Sequence, residues 1–245
     1  MVTHEAWLTM WFNAHLGGLG NSLLHLFGQS AANSAEPWAD FMVMQLLVAA
    51  IIIAMFAVLR ARLSVTKPGT LQHVFELIHN FLGEQSSDQV GHDSHKHTVM
   101  FETLFVFLLI SNLIGIIPGF VSPTQVIYVP VGCALLAFLY FNGAGIGKQG
   151  VFHYLKHFAG PILAMAPLMF IIEIIGTLAR MLSLSVRLFA NMYAGEQVTL
   201  VFLGMVPLAI PAVFMGLHVF VGMLQAYIFV LLLMIYVGGA VAQEH

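Results

Sequence analysis

A few polar side chains stand inside stretches otherwise built for lipid, and their types suit the handling of protons. Glu173, Arg180, Arg187 and Glu196 fall within the apolar run 162–206, and His218 and Gln225 within the run 212–242. Ionisable groups at membrane depth cost several kcal/mol and are functional-site candidates by default. Helical phase sorts them. Glu173, Arg180 and Arg187 are seven apart, about 20° from eclipsed at each step, so they share a face, with Ser183 and Asn191 within about 40° of Arg187. Glu196, nine residues beyond Arg187, points about 180° away. His218 and Gln225, again seven apart, share a face of the following helix. Where that face meets the Glu196 side, a carboxylate, an imidazole and an amide line one polar path, each able to pass on a proton or hold a water. Arg187 has no Asp or Glu within eight residues on either side, so nothing local in the chain neutralises it.

The elements that position these groups follow from composition. Of 245 residues 60% are apolar and only 8% charged, against roughly 25% charged in soluble domains, which excludes a water-soluble globule. Charge-free stretches of 19, 45 and 47 residues begin at Phe41, Thr103 and Gln197. The expected architecture is an all-α integral membrane protein. It has one N-terminal span (41–59), a transmembrane hairpin (99–117 and 126–146, joined by Pro118 to Gln125), and two long C-terminal helices (162–206 and 212–242). The run 162–206 would be about 67 Å long as a helix against a hydrocarbon core of about 30 Å. Residues 180–190 hold neither Pro nor Gly to turn the chain there. One steeply tilted helix is therefore expected, paired with a second overlong one after a turn at Gly204 to Pro211.

The rest is arranged around these spans. Residues 1–40 form an N-terminal segment outside the polytopic domain 41–245, with an interfacial helix over 4–28 carrying Trp7 and Trp11 and a polar linker at 29–37. Arg60, Arg62 and Lys67 follow the first span, and Lys148 and Lys156 the third. The positive-inside rule then places the N-terminus outside and the C-terminus in the cytoplasm. Residues 71–97 become a cytoplasmic connector, beginning as an amphipathic helix on the inner surface (Leu71, Val74, Phe75, Leu77, Ile78, Phe81, Leu82) and ending in a polar run.

Other chemistries are disfavoured. A net charge of −3 with eight scattered basic residues offers no basic stripe for nucleic acid. The single Cys133 excludes an intrachain disulfide and a cysteine-rich metal site. The first Lys or Arg is Arg60, so a secretory signal peptide is not expected. Gly145-Ile-Gly147-Lys-Gln-Gly150 satisfies GxGxxG but follows a span instead of a strand, and Gly143 to Lys148 lacks the Ser or Thr of a phosphate loop. His92, His95 and His97 beside Asp93 lie in the connector without a metal-ligand pattern. His153 and His157, at a spacing that two haem ligands could use, read instead as interfacial beside Lys156. No cofactor and no metal are expected.

The segment Ser183-Leu-Ser-Val-Arg187-Leu-Phe-Ala-Asn191-Met-Tyr193-Ala-Gly195-Glu196, with His218 and then Leu224-Gln225-Ala226-Tyr227-Ile228-Phe229, resembles the subunit a family of the F-type ATP synthases, stators of the membrane proton motor. The resemblance extends to the span order and the paired long helices from Phe41 onward. It implies that Arg187 faces a rotating ring of c subunits, each with a membrane-embedded carboxylate. It implies that Glu196, His218, Asn191 and Gln225 line or border two offset aqueous half-channels, with Glu173 and Ser183 less firmly placed and Arg180 without a role. It further implies peripheral-stalk b subunits as partners, a bacterial inner-membrane location, and a proton-translocating role without catalysis by this chain alone. Two rivals remain at this level. A proton-coupled secondary transporter would place midplane charges between inverted repeats, which the uneven halves of the chain do not display. A purely structural membrane subunit would leave the polar residues idle.

Overall fold

The computed structural model describes residues 7–26, 36–64, 67–91, 93–117, 120–150, 166–205 and 209–241. It consists of helices α1 (Trp7–Leu26), α2 (Asp40–Arg62), α3 (Thr70–Val90), α4 (Ser94–Ile114), α5 (Tyr128–Gln149), α6 (Ala166–Met205) and α7 (Ala209–Val241), with a 3₁₀ turn at Pro123–Gln125. There is no strand among the described residues. Five of these helices, α2, α4, α5, α6 and α7, are long and apolar enough to cross a membrane. The all-α membrane architecture expected from composition is the one observed.

Local chemistry explains the boundaries. Between its charged ends α2 is apolar except for Gln45, with Asp40 in its first turn and Arg60 and Arg62 in its last, charges that complement the helix dipole. α4 begins earlier than hydropathy suggests, at Ser94, so His95 and His97 belong to its first turn and not to the polar connector. His97 Nδ1 lies 2.9 Å from the Tyr140 hydroxyl on α5, and Lys96 and Lys148 both donate to Asp93. The Lys148 ammonium, with Lys96 beside it, holds the Asp93 carboxyl well below the usual aspartate range. This polar cluster ties the adjoining ends of α4 and α5. His92, His153 and His157 lie outside the described residues, as does the linker 29–35. Among the described residues no group of three His, Cys, Asp or Glu side chains could hold a metal ion.

The C-terminal pair is as long as its apolar runs require: α6 has 40 residues and α7 has 33, about 60 Å and 50 Å at 1.5 Å per residue. The described residues at both ends of the expected turn at 204–211 are helical. Gly204 still belongs to α6, and Pro211 falls in the first turn of α7, where proline removes only an amide that has no helical acceptor. Phe202 and Phe214 stack across the break with centroids 4.6 Å apart.

The core sits where α4, α5, α6 and α7 converge, around Phe101, Leu108, Leu188, Met192, Phe229 and Leu233. α3 joins it through Leu82, and its Phe81 ring packs on Tyr227 of α7. On the same helix Leu71, Val74 and Leu77 remain exposed, an apolar stripe of the kind that rests on a membrane surface. α1 is held to the segment before α2 by the Trp38 indole, which donates to the Leu16 carbonyl at 2.9 Å, and by Asn13, whose side chain bonds the Trp38 backbone twice.

Candidate functional site

α6 presents two different faces. Leu184, Leu188 and Met192 are buried against α5 and α7, while Arg187 and Ser183 are exposed beside Val186 and Tyr193. Only 18% of the membrane-length window of α6 is buried, against 44% for α4, so the Arg187 side is a broad apolar surface. Arg187 enters none of the ion pairs formed among the described residues. Arg180, one heptad earlier, lies with its guanidinium carbon 5.7 Å from the centre of the Tyr236 ring on α7. The Glu173 side chain lies outside the described residues.

The other polar groups gather at the α6 and α7 interface. The Asn191 amide donates to Gln225 Oε1 at 3.0 Å. Gln225 is only 3% exposed, and its own Nε2 meets no acceptor among the described residues. Asn191 was expected on the Arg187 side. About 40° round from Arg187 it sits at the border of the exposed face, from which its short amide turns inward to α7.

One turn further along α6, His218 lies against Gly195. A Cβ at Gly195 would collide with His218 Nδ1 and come within 3.0 Å of Cε1, so glycine here admits the imidazole to the helix surface. Glu196, the next residue, is half-buried, and its Oε2 has no hydrogen-bond partner among the described residues. Burial without a donor is costly to a charged carboxylate, and the imidazole of His218 on the facing helix is seated at the residue just before Glu196. The structure therefore brings together Asn191 with Gln225 and the Gly195-Glu196 turn with His218, and holds Arg187 and Ser183 apart on the open face.

A second polar cluster escaped the sequence reading. Ser122 Oγ donates to the Ser111 carbonyl at 2.7 Å and lies 2.7 Å from Thr124 Oγ1. Thr124 donates to Asn112 Oδ1 at 2.8 Å, and Asn112 donates to the Gly222 carbonyl at 2.9 Å. Ser111, Asn112, Ser122 and Thr124 are all buried. The chain of bonds links α4 and the hairpin turn to α7 one turn from Gln225. Its signal was present as an amide inside the charge-free stretch that begins at Thr103, but an uncharged Asn does not stand out from charge counting.

A polytopic helical membrane protein is thus defined, with a guanidinium on an open apolar helix face, an imidazole and two amides packed at the adjoining helix interface, and a half-buried carboxylate next to the glycine that seats the imidazole. A family model described as ATP synthase A chain matches residues 42–238. Proteins named ATP synthase subunit a are similar over most of their length. That of Solibacter usitatus is 58% identical over 96% of this chain and all of its own. That of Koribacter versatilis is 41% identical over the whole of both chains, and that of Geobacter sulfurreducens is 42% identical over 73% of this chain and 77% of its own. The chain belongs to the ATP synthase A chain family.

Proposed function

We propose that this chain is the stator that carries protons through two offset half-channels to and from the carboxylates of a rotating c-ring, so that proton-motive force drives rotation and ATP synthesis in the rest of the complex. The observation that carries the reading is Arg187, a cation on an open apolar helix face, outside every ion pair among the described residues and turned away from the half-buried Glu196. A c-ring carboxylate is protonated while it faces lipid, because desolvation disfavours its charge. At about 4 Å from Arg187 it gains about 4 kcal/mol at an effective dielectric of 20, which favours release of its proton. Arginine suits the position because it keeps its own proton when desolvated, and its charge blocks a direct leak between the half-channels. Glu196, His218, Asn191 and Gln225 border the outer half-channel, and Glu173 is assigned to the inner side. Each charge crossing yields about 2.3 kcal/mol per 100 mV.

The family supports this reading, as does the orientation given by Arg60, Arg62, Lys67 and Lys148, with the N-terminus outside and the C-terminus in the cytoplasm of a bacterial inner membrane. Peripheral-stalk b subunits are the further partners, and catalysis lies in other subunits. Replacing Arg187 with Ala is expected to abolish ATP synthesis driven by an imposed proton gradient in inverted vesicles, with the complex still assembled. Synthesis at the normal rate in that variant would overturn the proposal.

A further inference from the structure

Between α5, α6 and α7, toward the Lys148 end of α5, lies a cavity of about 410 Å³, within the size range of small-molecule sites. It runs from Ala134 on α5 and Leu184 on α6 to Gln149 and Ala240 at the helix ends, about 22 Å along α5 at 1.5 Å per residue. Most of its wall is aliphatic or aromatic, including Ala137, Phe138, Phe141 and Leu233. Arg180 is the charged side chain among the described lining residues. It is exposed, and its guanidinium stands by the Tyr236 ring, which also lines the cavity.

A long apolar slot with one cation in its wall has the charge and shape of a two-part amphiphile. Water filling such a slot would be poorly held by hydrocarbon walls. An acyl chain is matched to them, and a phosphate is matched to a guanidinium, which binds it through a planar fork of donors. Basic pockets between transmembrane helices on the cytoplasmic side are recurrent sites for anionic headgroups, and tyrosine is enriched at the headgroup level.

We propose that this cavity binds an anionic phospholipid, with its phosphate on Arg180 and one acyl chain lying between α5 and α7. On the orientation proposed above, which this inference uses only to name the leaflet, the lipid comes from the cytoplasmic side. Its role is to fill the three-helix junction beside α6.

The test uses the intact complex, stripped of loosely held lipid and exchanged against phosphatidylcholine vesicles containing increasing fractions of phosphatidylglycerol. Native mass spectrometry then counts the phosphatidylglycerol retained. The unaltered complex is expected to retain one more molecule than Arg180→Gln, whose half-saturating lipid fraction rises about fivefold, the scale of one cation near a lipid headgroup. Arg180→Lys should recover part of the loss. Ala137→Phe, which fills the chain end and leaves the charge, should lose the same molecule. Co-purification of the c-ring reports assembly, and the two Arg180 variants decide the matter if Ala137→Phe does not assemble. Equal retention by Arg180→Gln and the unaltered complex would overturn the proposal. So would displacement of the bound lipid by inorganic phosphate alone, which would assign the site to the free anion. Unchanged lipid counts with lowered passive proton flux in Arg180→Gln would make the slot an aqueous passage and would equally overturn it. The Arg187→Ala result is independent of all of these outcomes, so failure here does not touch the stator reading.

Discussion

At the scale of single residues the site rests on a division of labour by helical phase. Arg187 and Glu196 point to opposite sides of α6, and this followed from their nine-residue spacing alone. His218 and Gln225 were equally legible as one face of α7. What the spacing could not supply was the depth of contact. That His218 is seated on Gly195 depends on a close approach between two helices, which leaves no periodic trace, and Asn191 sits at a boundary where a small rotation decides its partner. The roles proposed for Glu196 and His218 lead to a direct expectation. Glu196→Ala and His218→Ala should each lower ATP-driven proton pumping in inverted vesicles by on the order of a hundredfold, the scale of removing a positioned proton-transfer group. A purely structural role predicts no change in flux for either variant.

At the scale of elements, the long helices were visible because 180–190, the middle of 162–206, holds neither Pro nor Gly, and the spans because charge is scarce in them. The ends were less so. Ser94 to His97 are polar and read as loop, yet they form the first turn of α4 because Asp93, Lys96, Lys148 and Tyr140 give that turn partners across to α5. The buried chain from Ser122 to Gly222 has the same character: each residue is unremarkable alone, and only the packing of three elements joins them. Asn112 holds two of its bonds, so Asn112→Leu would leave the Thr124 hydroxyl and the Gly222 carbonyl without their present partner. A loss of about 1–3 kcal/mol is expected, mainly from the Thr124 hydroxyl left without its acceptor, read as a lower temperature for release of this subunit from the purified complex. An unchanged release temperature would show that the cluster does not brace α4 against α7.

At the scale of the whole molecule, orientation is the property most open to a simple check. With Cys133 replaced by Ser, a cysteine at Ser22 of α1 should react with an impermeant maleimide from outside the cell. One at Ser87 of α3 should react only in inverted vesicles; labelling of both from the same side would refute the assigned topology. The fold also has a bearing on the life of the chain before it is assembled. α6 leaves most of its span uncovered, and until a partner arrives Arg187 must face hydrocarbon, at a cost of several kcal/mol. A newly made copy is therefore less stable in the bilayer than an assembled one. If Arg187 meets a ring as proposed, expression of this chain without ring subunits should yield little protein however strongly it is transcribed.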